Sequence, residues 1–258
     1  MNGASDSQPQ GTAVALRPMK LALISAGILL AAPAAARDVT ITHDNALLKF
    51  TYEWPRAAAA DHRLDALLRA KAAAEFRERL AGEEDNRKAA RTQHFEFRQG
   101  YDTFSWEAVG ETPRLLSLQG AGLAMSSGMA HPEHWNEALL WDRSARRRMS
   151  LASLFSGRAS FAPLTRTTYC GALAKEQPRR LKAVGGGEPD PCPNYTELAI
   201  APADKDKDGR FDSIDFVAPP YVAGFYALGD FVIALPVTAT IVRGIKLRYR
   251  ASFEVQRQ

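Results

Sequence analysis

The alternation of apolar and polar positions divides the chain into blocks. Val39–Thr42 and Leu47–Trp54 alternate and carry β-branched or aromatic residues, which predicts an entering hairpin that ends at Trp54-Pro55. From about Ala58 to Ala90 the period changes. Leu64, Leu67, Leu68, Ala72, Phe76 and Leu80 fall at helical intervals among Ala, Arg, Lys and Glu. That spacing predicts one long amphipathic helix, with Gly82 as its candidate break and its charges as a solvated face. His94–Phe97, Tyr101–Val109 and Arg114–Gly120 predict successive strands separated by Gly and Pro turns. Ala138–Trp141, Asp142–Arg146 and Ser150–Phe155 predict a strand, a tight turn and a helix start. A second helix is expected over Phe161–Lys182, bending or ending at Pro178. Ser213–Val217, Phe231–Leu235 and Leu247–Val255 predict further strands. Strands and helices come in blocks without βαβ alternation. The expected fold is therefore α+β, antiparallel sheets with packed helices, in two intimately associated subdomains over residues 37–130 and 131–258.

The first 36 residues follow a different pattern. Arg17-Pro-Met19-Lys20 precedes the apolar run Leu21–Ala32, and Pro33-Ala34-Ala35-Ala36 supplies small residues for cleavage after Ala36. This is the layout of a signal peptide, with Met19 as an alternative start. The apolar run is shorter than the roughly 20 residues a membrane span needs, and no later run is longer. The mature chain is expected to work in the periplasm or outside the cell. The formal net charge of +4 becomes +3 once Arg17, Lys20 and Asp6 are removed, too small and too dispersed to argue for nucleic acid. Both cysteines, Cys170 and Cys192, lie in the exported part and predict one disulfide across the Gly185–Gly187 and Pro189–Pro191 stretch. Neither has a nucleophile setting around it.

Candidate chemistry concentrates in Asp204-Lys-Asp206-Lys-Asp208-Gly209-Arg210-Phe211-Asp212-Ser-Ile-Asp215. Alternating acids, a glycine at the sixth place and acids at the ninth and twelfth reproduce the spacing of a calcium loop. A hard divalent cation takes six to eight oxygens, and alternation lets the chain curl around it. Asp204, Asp206 and Asp208 would give carboxylates and Arg210 its backbone carbonyl. Asp212 would bind directly or through water, and Asp215 would close the site. A short Asp in place of the closing Glu implies weaker binding or tolerance of magnesium. The competing reading is a solvated acidic turn.

His131-Pro-Glu-His134-Trp-Asn-Glu137 would suit zinc on a helix, but Pro132 and Ser126-Ser-Gly128 favour a loop. No Gly-x-Ser-x-Gly, phosphate-cradling loop or dinucleotide fingerprint is present in the sequence. Trp106, Trp135, Tyr221, Phe225 and Tyr226 could form a recognition surface, although aromatics beside strands are more often core.

Three segments carry a family resemblance. Leu115-Leu-Ser-Leu118 leads to Ser127-Gly128-Met129-Ala130-His131-Pro132, similar to a strand followed by a Gly-Gly-Ala-His turn. Leu139–Asp142 followed by Met149-Ser150-Leu151-Ala-Ser-Leu154-Phe155 resembles a strand, turn and Ser-Leu-x-x-Leu-Phe segment. Phe216–Gly229 with Leu235-Pro236 is similar to a Pro-Tyr turn before a final strand ending in Pro. In order and spacing these resemble the RsiV-like, PdaC-like extracytoplasmic module, over about residues 38–255. The resemblance implies a bent antiparallel sheet with packed helices outside the membrane. In such proteins the module binds lysozyme as a signal or accompanies a peptidoglycan deacetylase domain. Here a sigma-binding segment and a deacetylase domain are both missing from the sequence. The expectation is a non-enzymatic binding module of the cell envelope, recognising a lysozyme-like protein or peptidoglycan and braced by a structural Ca2+. The alternatives are a structural envelope protein with no ligand beyond the cation, or a wall-modifying enzyme using His131, His134 or scattered acids.

Overall fold

The computed structural model describes residues 38–156 and 160–256; the expected signal peptide lies outside them. Nine strands form two sheets, β1 Val39–Asp44, β2 Leu48–Trp54, β3 Gly100–Glu111, β4 Leu115–Met125, β5 Glu133–Asp142 and β6 Arg147–Met149 in the first, and β7 Ala199–Ala203, β8 Ser213–Ala218 and β9 Phe231–Pro236 in the second. Spatial order follows chain order in both. The helices are α1 Arg56–Ala59, α2 His62–Gln93, α3 Phe161–Ala183, α4 Ala239–Gly244 and α5 Leu247–Arg250. Mixed helix and sheet in this arrangement is an α+β fold. Among the described residues no helix is long and apolar enough to cross a membrane.

Every strand pair but one is antiparallel. β2 and β3 run parallel, from Leu48↔Gly100 to Glu53↔Ser105, because α1 and α2 carry the chain back between them. One βαβ crossover therefore sits inside the sheet, which the block order of the sequence had not indicated. The expected boundary at residue 130 falls between β4 and β5, which pair along ten positions, so the first sheet continues to Met149.

The start of α2 is set by Asp61, whose carboxylate accepts the N–H groups of Arg63 and Leu64 at the helix N-terminus. The same carboxylate accepts the indole N–H of Trp141 in β5 at 3.0 Å, so one residue fixes both the helix and its phase over the sheet. The helix then runs unbroken through Gly82 to a left-handed cap at His94. Leu64, Leu68 and Ala72 are buried against Phe50, Tyr52, Trp54, Phe104, Trp106 and Leu118 of the sheet. The opposite face presents Leu115 and Leu140 to a second core, built from β8, β9, α3 and the C-terminal segment. Asp142 links the layers. Its carboxylate accepts Tyr249 Oη at 2.9 Å, Arg114 at 3.2 Å and two turn N–H groups. Although burial pushes its pKa up, those bonds hold it below the ordinary value.

Three expected elements differ. His94–Phe97 is not a strand, Ser150–Phe155 holds only a 3-10 turn over Leu151–Leu154, and Leu247–Val255 is not a strand but contains α5. Pro178 does not end α3, which runs on to Ala183. Gln177 and Leu181 beside it stay buried on the same face as Leu173, and that packing carries the helix through the missing N–H.

Candidate functional site

The predicted disulfide joins Cys170 in α3 to Cys192. It ties the Gly-rich segment back onto the helix, where the Arg166 guanidinium donates to the carbonyls of Cys192 and Pro193.

The acidic loop splits into two sets. Asp204, Asp206 and Asp208 each bring a carboxylate oxygen within 4.8 Å of the others. Gly209 makes the turn at φ 92°, a left-handed conformation that glycine adopts without strain, and its N–H donates to Asp204 Oδ2 at 2.9 Å. Asp204 Oδ1 is buried and accepts no hydrogen bond among the described residues. Asp212 and Asp215 do not join this group. Both are buried, and Asp215 pairs with the Lys205 ammonium at 2.5 Å and accepts Ser213 Oγ. Asp212 accepts the Lys205 N–H at 2.8 Å. The cause is β8, which starts at Ser213 and directs Asp215 inward, where a helix would have returned it to the loop. The donors brought together for a hard cation are the three carboxylates, to which the loop spacing adds the Arg210 carbonyl. The Arg210 guanidinium itself pairs with Glu254 at 2.5 Å.

A second constellation joins distant segments. His131 stacks on Tyr226 with ring centroids 4.0 Å apart, and His134 meets the same ring edge-on at 5.5 Å. His131 Nε2 lies 3.1 Å from Tyr221 Oη and its Nδ1 lies 3.0 Å from the Pro132 carbonyl. Both His131 nitrogens thus have partners. Tyr221 sits at φ 70° and is 63% exposed. A bulky residue there costs on the order of 1 kcal/mol, so the surroundings must hold it. They do so from α3. The buried Gln177 amide donates to the Ala223 carbonyl, and Arg180 donates to the Leu228 and Asp230 carbonyls. Asn136 of β5 then donates to Asp230 at 3.0 Å. With Phe225 and Met129 also exposed, the result is an anchored, largely apolar shelf. Of the aromatics singled out in the sequence, Trp106 belongs to the core and Trp135 lies elsewhere.

Trp135 lines a charged groove of about 480 Å³ between α2 and β5, with Lys71, Glu75, Arg79, Glu133 and Glu137. Lys71 pairs with Glu137 at 2.5 Å, and Arg79 with the fully buried Asp102 at 2.8 Å. Burial first, then the Asp102 charge, pushes the Glu75 carboxyl up to about 7. A carboxyl raised in the folded state contributes stability below its unfolded pKa and loses it as pH rises through about 7. Glu75→Gln is therefore expected to melt higher than the parent at pH 8 and level with it at pH 4. A melt that is lowered equally at both pH values would refute this assignment.

No protein-family model and no curated protein matches the chain. Solved structures do. One is a DUF3298 family protein from Pseudomonas aeruginosa, 11% identical, with a TM-score of 0.51 over 81% of this chain and 94% of that one. Another is a member of the same family from Bacteroides fragilis, 14% identical, with a TM-score of 0.49 over 84% and 97%. The chain has the fold of the first of these proteins.

Proposed function

We propose that this chain is an exported, non-enzymatic binding module of the cell envelope, and that the aromatic shelf is its recognition face. The observation that supports this reading most is Tyr221, a strained and exposed tyrosine whose hydroxyl meets His131 and whose loop is anchored by α3. Rigid aromatic side chains give large contact area at low entropic cost, which is what recognition surfaces use. The partners proposed are a lysozyme-like hydrolase or wall glycan. Both present surfaces that aromatic rings can cover. Immobilised protein is expected to retain lysozyme or solubilised peptidoglycan. Tyr221→Ala, which relieves backbone strain only partly and removes the ring, should weaken retention by roughly tenfold or more. If neither probe is retained by the parent protein, the reading is wrong.

We also propose a structural Ca2+ held by Asp204, Asp206, Asp208 and the Arg210 carbonyl. Its role is to neutralise carboxylates that approach one another at the edge of the second sheet. A ligand at about ten times its Kd stabilises the folded state by about 1.4 kcal/mol. Millimolar calcium should therefore raise the melting temperature over that in chelator, and Asp206→Asn should abolish the difference. Superimposable melts of the parent protein in calcium and in chelator would remove the ion from the proposal.

A further inference from the structure

β5 carries chemistry on both faces. His134 and Asn136 meet the aromatic shelf, and strand alternation turns Glu133, Trp135 and Glu137 the other way, toward α2. There they face Lys71, Glu75 and Arg79, which follow one another at intervals of four along one side of the helix. The ends of this ladder are closed. Lys71 pairs with Glu137 at 2.5 Å, and its ammonium lies 5.8 Å and 5.9 Å from the Phe104 and Trp106 ring centroids. Arg79 pairs with Glu133 at 3.1 Å and with Asp102 at 2.8 Å, and it covers the Trp135 ring at 5.0 Å. That ring is itself pressed onto Gly122, where a Cβ would fall 2.1 Å from it. Both cations are thus committed to partners of their own.

The middle of the ladder is open. Glu75 forms no ion pair and no hydrogen bond among the described residues. Beneath it Asp102 is fully buried. Its Oδ2 faces Arg79, while its Oδ1 has no hydrogen-bond partner among the described residues. With Glu78 also lining the groove, five carboxylates share two cations around a space of about 480 Å³. Their proton affinities reflect the shortage. Burial holds Asp102 at about 6 even beside Arg79, and Glu75 stands at about 7. Tyr52 of β2, which Glu75 also acts on, stays a neutral phenol hydrogen-bonded to the Trp106 indole. One metal ion does not suit this arrangement. Among the described residues, no three acids here bring ligand oxygens within 4.8 Å of one another, as Asp204, Asp206 and Asp208 do. What fits is a cation whose donors are spread out.

We infer that this groove seats a guanidinium, presented by an arginine side chain of a polypeptide partner. Five N–H donors on a rigid planar fork reach carboxylates that are too far apart for one metal ion. A guanidinium is also more weakly hydrated than an ammonium, so it is the easier cation to bring against buried charge. Glu75 and Glu78, which have no cation of their own, are the acceptors, and Asp102 adds attraction from below. Charge complementarity favours a chain-borne arginine over the free amino acid, whose own carboxylate the groove repels. The inference rests on neither the aromatic shelf nor the acidic loop.

The test titrates Nα-acetyl-arginine amide into the full chain and follows the indole N–H signal of Trp135 by NMR, with calorimetry in parallel. The citrulline analogue, equal in shape and uncharged, is the comparison. Arginine should bind roughly tenfold or more tightly than citrulline at pH 8. A guanidinium stays charged throughout, so any pH dependence belongs to the protein. Affinity should rise as pH passes through about 7, and binding there should release protons, because the ligand favours the ionised Glu75 carboxylate. Glu75→Gln should weaken binding roughly tenfold and remove both effects, while its melt at pH 8 reports that it is folded. Equal binding of arginine and citrulline, or unchanged affinity in Glu75→Gln, would overturn the inference. So would a Trp135 signal that does not move at millimolar arginine amide. Tighter binding of free L-arginine than of the amide would overturn the polypeptide partner and assign the groove to the amino acid.

Discussion

Phe216→Ala is expected to cost about 4 kcal/mol of unfolding free energy. Phe216 is fully buried in β8, at the point where the second sheet meets α3. Its ring stacks on Tyr169 with centroids 4.7 Å apart and lies parallel to Phe161 at 5.9 Å. Tyr195, beside the disulfide, completes the enclosure at 5.3 Å. Removal therefore leaves a cavity bordered by three rings that cannot all move in, since Tyr195 is also held by the Thr165 hydroxyl at 3.0 Å. Lost aromatic pairs add to the transfer cost. A domain of this kind has about 5–15 kcal/mol in total, so the variant should be near the limit of folding at 37 °C. Denaturant unfolding measures it as a drop in midpoint at unchanged slope. Val232→Ala on the neighbouring strand, where the side chain is half exposed, should shift the midpoint little. A comparable loss in the two variants would show that the ring cluster is not the centre of this core.

The double change Cys170→Ala/Cys192→Ala is expected to cost about 3 kcal/mol, from the entropy regained by an unfolded chain no longer cross-linked over 22 residues. For a chain of this size that is a fall of roughly 10 °C in melting temperature. The folded state gives little of it back. The segment before Cys192 has few other fixings, chiefly the Gln177 amide donating to the Asp190 carbonyl. The same fall should follow reduction of the parent protein, and the double variant should be indifferent to reductant. A variant that melts with the oxidised parent would mean that the helix and the Arg166 contacts suffice.

What could be read from the sequence follows from how local the determining interactions are. α2 and α3 were legible because each buries one stripe over many turns, and the hairpin β1–β2 because its alternation is complete. β7 was not, since Ala-Ile-Ala-Pro-Ala has little β signature and is a strand only because β8 pairs with it. Leu247-Arg-Tyr-Arg misled for the opposite reason. It alternates like a strand, yet Tyr249 and Phe253 are buried four residues apart and the chain turns helically to bury both. The acidic loop was half legible. Spacing found Asp204, Asp206 and Asp208, while Asp212 and Asp215 were claimed by Lys205. The shelf could not be assembled from the sequence at all, because His131 and Tyr221 are 90 residues apart.

The last described residues also decide where the protein can be handled. Phe253 bridges to Phe211, the Glu254 N–H donates to the Phe211 carbonyl, and the Gln256 N–H donates to the Val237 carbonyl. Phe253 and Glu254 are thus paired with the last part of the acidic loop, and a polyhistidine tag placed just after them would bring imidazoles and any captured nickel near its carboxylates. β1, by contrast, is the outermost strand at the far edge of the first sheet, away from β6. Purification handles, fluorophores and surface tethers belong ahead of β1, where they leave the loop and the shelf uncovered.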